Sequence, residues 1–201
     1  MKKKILLVLF FTITVSMNAQ SHLKSFFELS GPKRTWVIFH PFVAKKTLKI
    51  SEFTRLETKN VIIQKFLKGN GNGGQVDAFR HAFWMASLTA EIGWRKARKL
   101  GVAHEKGNYK DYKKRRNEDG EIPDKVSSEM DLFNNDVGIK IGKNNSENLK
   151  NSVINAVLEG KCKIIRKDTR GNFLDNKGKI ISKESLKGKW ENQKCLVWSN
   201  N

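Results

Sequence analysis

The segment Asp77-Ala78-Phe79-Arg80-His81-Ala82-Phe83-Trp84-Met85-Ala86-Ser87-Leu88 constrains the fold more than any other stretch of this chain. At about 100° per residue, Ala78, Phe79, Ala82, Phe83, Met85, Ala86, Ala90 and Ile92 cover most of a helix circumference, and Asp77, Arg80, His81, Trp84, Leu88 and Glu91 share the remaining side. A helix apolar over so much of its surface has to be buried among other elements. Asp77, Arg80 and His81 are then withdrawn from water, and burying charge without partners is costly enough that partners must exist.

Two other clusters offer those partners. Ala103-His104-Glu105 is expected just past the end of this helix, and Met130-Asp131-Leu132-Phe133-Asn134-Asn135-Asp136-Val137-Gly138 near the start of a later one. Asp131, Asn134 and Asn135 stand at i, i+3 and i+4, which puts a carboxylate and two amides on one helix face. Asp77, Arg80 and His81 repeat that spacing. Two such faces meeting across a bundle build a polar pocket inside an apolar shell.

The residue types suit hydrolysis of an anionic substrate: a phosphoester, a phospholipid or an envelope polymer. In a metal-assisted form, Asp77, His81, His104 and Asp131 are the candidate ligands for zinc or another divalent ion, and Glu105 activates a bound water. In a metal-free form, His81 or His104 is the general base, oriented by Asp77 or Asp131, while Arg80 or the amides of Asn134 and Asn135 stabilise an oxyanion. The candidate catalytic set is therefore His81, His104, Glu105 and Asp131, with Arg80, Asn134 and Asn135 binding substrate. No G-x-S-x-G elbow occurs, and neither cysteine lies near the histidine clusters, which disfavours a serine or cysteine nucleophile. The competing class is a non-catalytic envelope binding or structural protein in which the same residues form a buried core network.

The combination D-A-x-R-H, A-H-E and M-D-x-x-N-N-x-x-G resembles an uncharacterised family of bacterial exported and toxin-associated domains, a domain of unknown function. The likeness covers about residues 40 to 160 and implies that the three clusters belong to one domain. It implies no activity. The order His81, His104-Glu105, Asp131 is also loosely similar to the H…HD…D pattern of metal phosphohydrolases, with Glu105 where that pattern has an aspartate.

The remaining segments predict a mainly α, bundle-like domain over residues 41–160, preceded by a loop-rich segment at 20–40 and followed by a small β-hairpin-like tail at 161–201. Apolar residues between Val43 and Leu67 recur at helical intervals before Gly69, and the run from Gly69 to Gly74 reads as a turn between helices. The key helix is expected from about Gln75 to Leu100, a mobile polar loop over 106–125, and two further helices at about Val126 to Ile141 and Ser146 to Leu158.

Residues 1–19 carry Lys2, Lys3 and Lys4, an apolar run from Ile5 to Val15, and Ala19 at the end, the pattern of a secretory signal peptide. Export to a periplasmic or extracellular setting is expected, with no transmembrane segment in the mature chain. Removing three lysines and no acid leaves 36 basic and 20 acidic residues, so the basic character belongs to the working protein. Such charge attracts polyanions irrespective of sequence, and the absence of any finger, recognition-helix or aromatic RNA-binding motif argues against sequence-specific nucleic-acid binding. Cys162 and Cys195 are the only cysteines, and in an oxidising compartment a disulfide between them is expected.

Overall fold

A computed structural model describes residues 26–69, 71–116, 122–144 and 147–201. Residues 1–19, where a signal peptide is expected, lie outside the described residues. The chain forms α1 (Gly31–Phe39), α2 (Pro41–Ile63), α3 (Gln75–Ile92), α4 (Trp94–Lys113), α5 (Lys125–Asn144), α6 (Leu149–Leu158), β1 (Lys163–Ile165), α7 (Lys183–Leu186) and β2 (Leu196–Trp198). The fold is mainly α with one small antiparallel β pair, the class that the sequence patterns predict.

The nearly all-apolar α3 is the hub, packed by α2, α4, α5 and α6. Phe79, Ala82, Phe83 and Ala86 join Val61, Val153 and Val157 in one core, and Met85 and Leu88 join Trp36, Leu100 and Ile139 in another. At about 25 cal/mol per Å² of apolar area, these enclosed side chains provide the main drive that sets α3 at the centre. Gly138 and Gly142 of α5 let its backbone lie directly on α3. A β-carbon at either would collide with the carbonyl oxygen of Ala82 or Ala86.

Several local expectations are corrected. Residues 31–39 are helix rather than loop, because Pro32 sits in the first turn, where a missing amide hydrogen costs nothing. The helix expected to Leu100 stops at Gly93, whose φ of 87° only glycine adopts readily, and a new helix starts at Trp94. That helix continues to Lys113, so the start of the expected polar loop is helical and His104-Glu105 lies in mid-helix, not just past a helix end. Its buried face runs from the apolar Ala97, Leu100 and Ala103 into Gly101, Glu105, Gly107 and Asn108, so the apolar period fades in the second half of the helix.

The tail differs too. β1 pairs with β2 in the register Lys163↔Trp198 to Ile165↔Leu196, and the intervening segment adds only isolated bridges at Lys167↔Phe173 and Leu174↔Ile180. This register overturns the expected disulfide. Cys162 precedes β1 and Cys195 precedes β2, so they sit at opposite ends of an antiparallel ladder, about 3.3 Å further apart for each residue along the strand. Both are free thiols, and burial pushes that of Cys162 up to about 12.

The tail is also stitched to the helices. Gln75 Nε2 donates to the Ser199 carbonyl (2.7 Å), and Ser199 Oγ donates to the Val157 carbonyl (2.6 Å). Asp124 caps α5 through the Ser127 amide (2.8 Å) and accepts from Lys194 Nζ (2.7 Å) in a buried ion pair.

Candidate functional site

The first turn of α3 fixes the first part of the site. Asp77 Oδ2 accepts from the Gly73 amide (2.7 Å), a reach back over the helix start where the exposed amide hydrogens favour negative charge. Asp77 Oδ1 accepts from Arg80 Nε (3.1 Å) and Nη2 (2.7 Å), one turn later. The same Nη2 lies 3.2 Å from His81 Nε2. Asp77, Arg80 and His81 thus form a continuous chain along the face that the sequence marks out.

The glycine contact between α3 and α5 supplies the second part. Asp131 Oδ1 lies 3.4 Å from His81 Nε2, and Asp77 Oδ1 lies 3.6 Å from the same nitrogen. His81 is buried between an arginine and two carboxylates. With its proton on Nδ1, its Nε2 accepts from Arg80; with its proton on Nε2, that nitrogen faces the Asp131 and Asp77 carboxylates and Nδ1 is the basic one.

α4 delivers His104, whose ring centre is 6.0 Å from that of His81 and 5.5 Å from the Trp84 ring, which it meets edge-on. Burial holds the His104 imidazole well below the usual histidine value, and the charges of Lys33, His81, Arg80 and Arg55 lower it further. It is therefore neutral at physiological pH. Glu105 is buried beside it, with Oε1 3.9 Å from His104 Nε2 and Oε2 accepting from Asn108 (3.2 Å).

Of the residues singled out from the sequence, Asp77, His81 and Asp131 bring one ligand atom each within 4.8 Å of the others, and His104 stands outside that group. Arg80 already places a cation against Asp77 and His81, where a metal would need to sit. The Asn134 amide donates to the Lys163 carbonyl and accepts from the Lys163 amide, both at 2.9 Å, and so pins β1 to α5. Asn135 is buried against the Gly101 backbone of α4, with no hydrogen-bond partner for its amide among the described residues.

Arg80, His81 and His104 line a cavity of about 1080 Å³ beneath α1 and α2; Asp77, Glu105, Asp131, Asn134 and Asn135 do not reach its wall. Sequence reasoning missed the α2 side. Thr47, Ser51, Thr54 and Thr58 line the cavity at four-, three- and four-residue steps, a helical hydroxyl stripe legible from spacing alone. Ser51 Oγ accepts from Trp84 Nε1 (2.9 Å), while the buried hydroxyls of Thr47 and Thr54 lack hydrogen-bond partners among the described residues. Arg55, Lys59 and Lys33 add positive charge to the lining.

No curated protein and no solved structure matches this chain. One family model does, over residues 34–164, a stretch that runs from α1 into β1 and holds every cluster described above. Its description is a domain of unknown function, DUF6973, and this chain belongs to that family.

Proposed function

We propose that the protein is an exported hydrolase that cleaves an ester or phosphoester bond of an anionic substrate by metal-free acid–base chemistry. His81 moves the proton, Asp131 orients His81, and His104 is a second imidazole facing the reacting group. What carries the reading is the meeting of His81 and His104, from separate helices, on the wall of one cationic cavity, with the Asp131 carboxylate 3.4 Å behind His81. An attacking water gives a proton to Nδ1 of His81, whose Nε2–H faces Asp131, as its oxygen bonds to carbon or phosphorus. The imidazolium is held by Asp131, then passes the proton to the leaving alcohol as the scissile bond breaks. Water enters, an acid and an alcohol leave, and no other reactant is needed.

Arg80 supports the metal-free form. Its guanidinium already neutralises Asp77 and touches His81, so a divalent ion held by Asp77, His81 and Asp131 would have to displace it. Arg80, Lys33 and Arg55 supply the charge that holds the anionic group, and Glu105 holds His104 in place.

The second reading, a non-catalytic binding protein, is favoured by one observation: Asp77 and Asn134 make hydrogen bonds within the fold. Turnover separates the two. The full chain is offered phosphodiester, phospholipid, carboxylic ester and glycan substrates beside an Asp131→Asn variant. The hydrolase reading expects turnover of an anionic ester that falls by about 10²-fold or more in the variant. No turnover of any substrate, or equal turnover by both proteins, overturns it.

A further inference from the structure

We infer that the substrate class is an anionic phospholipid taken from a bilayer, on which the corner between α1 and α2 docks. This deepens the hydrolase reading by naming the substrate of the same site. Ile38 and Phe39 end α1, and Phe42 lies in the first turn of α2. They are 63%, 75% and 98% exposed, an apolar tip that water alone would penalise. Lys45 and Lys49 are exposed on the next turns of α2, and Lys46 between them is ion-paired with Glu91. An apolar tip flanked by lysines, in a chain that keeps 36 basic against 20 acidic residues once residues 1–19 are removed, complements a surface that is greasy within and negative outside.

The cavity continues the same gradient. Close to the corner its lining is mostly apolar, with Trp36, Val37, Pro41, Ala44 and Leu48 beside Lys45 and Thr47; further along α2, Thr54, Arg55, Lys59 and Ile62 share the wall with Arg80, His81 and His104. From Ala44 to Lys59 the helix rises about 22 Å at 1.5 Å per residue, comparable to a lipid from chain to headgroup. Acyl chains near the tip stay close to the bilayer while the phosphate reaches the cationic end. Ser51 and Thr54 add hydroxyl-bearing side chains to the wall between the two ends.

The test is flotation of the full chain with vesicles of phosphatidylcholine, alone or mixed with phosphatidylglycerol, beside an Ile38→Ser/Phe42→Ser double variant and an Arg55→Glu/Lys59→Glu double variant. Wild type is expected to float with the mixed vesicles and not with phosphatidylcholine alone. The tip variant, whose changed side chains are exposed and leave the core intact, is expected to lose about tenfold in vesicle affinity while still binding a short-chain, water-soluble phosphatidylglycerol. The cavity variant is expected to lose the soluble lipid. Flotation undiminished in the tip variant, equal flotation with both vesicle types, or a tip variant that changes the self-association of the protein in solution overturns the inference. Binding is scored apart from turnover with His81→Gln. That variant is expected to float like wild type, so loss of turnover with retained binding tests the hydrolase reading, and loss of tip dependence tests this one.

Discussion

His81 of α3 and Asp131 of α5 face each other at 3.4 Å, although fifty residues separate them in the chain. The approach depends on Gly138, two turns beyond Asp131 and one beyond Asn134 and Asn135, whose missing side chain lets α5 rest on the Ala82 carbonyl. Adding a methyl group there pushes backbone against backbone. Gly138→Ala is expected to lower stability by about 1–3 kcal/mol, measured as a fall in thermal midpoint, and to disturb the His81–Asp131 pair without altering either residue.

His104 makes stability depend on pH. Its imidazole is held below the ordinary value of 6.5 in the folded protein, mainly by burial and then by the charges of Lys33, His81, Arg80 and Arg55. The unfolded chain therefore binds the proton first as pH falls. The stabilisation from a neutral, buried His104 is fully present above about pH 6.5 and is lost progressively as acidification proceeds toward the lowered folded-state value. Denaturation curves across this range are expected to show stability falling toward acid, with a shallower fall in His104→Gln. Equal slopes in the two proteins contradict the assignment.

Asn134 separates structure from chemistry. Replacing it with Ala removes both bonds to Lys163 and leaves that backbone amide and carbonyl without their partner. A loss of about 2 kcal/mol is expected, together with faster amide exchange at Lys163. A variant of unchanged stability that has lost substrate affinity would restore the role first read from the sequence.

The thiols provide a check on the tail. Cys162 is buried with its thiol pushed up to about 12, and Cys195 is partly exposed on the far end of the β pair. In the folded protein an alkylating reagent is expected to label Cys195 and spare Cys162, with both labelled after unfolding without reductant. A mass two hydrogens lighter, refractory to labelling, would reveal a disulfide and contradict the register.

How much was legible follows from what each residue is used for. The centrality of α3 was readable because its apolar side chains leave no face for water, and the convergence of Asp77, His81 and Asp131 follows from the cost of burying them. The continuation of α4 was hidden because Gly101, Glu105, Gly107 and Asn108 bury a face that no hydrophobic period announces. β2 is three residues long and finds its partner across thirty intervening residues, which spacing cannot show. Asn134 and Asn135 look alike in sequence, yet one clasps a strand and the other rests on a glycine. Their neighbours decide that difference.

In the proposed hydrolase, His81 carries proton transfer without a metal. The most direct measurement of this is the hydrolysis rate of the full chain, in the presence of a strong chelator, beside a His81→Gln variant shown to keep the wild-type thermal midpoint. Wild-type turnover is expected to survive the chelator and to fall by about 10²-fold or more in the variant. Turnover abolished by the chelator and restored by zinc, or equal in the two proteins, contradicts it.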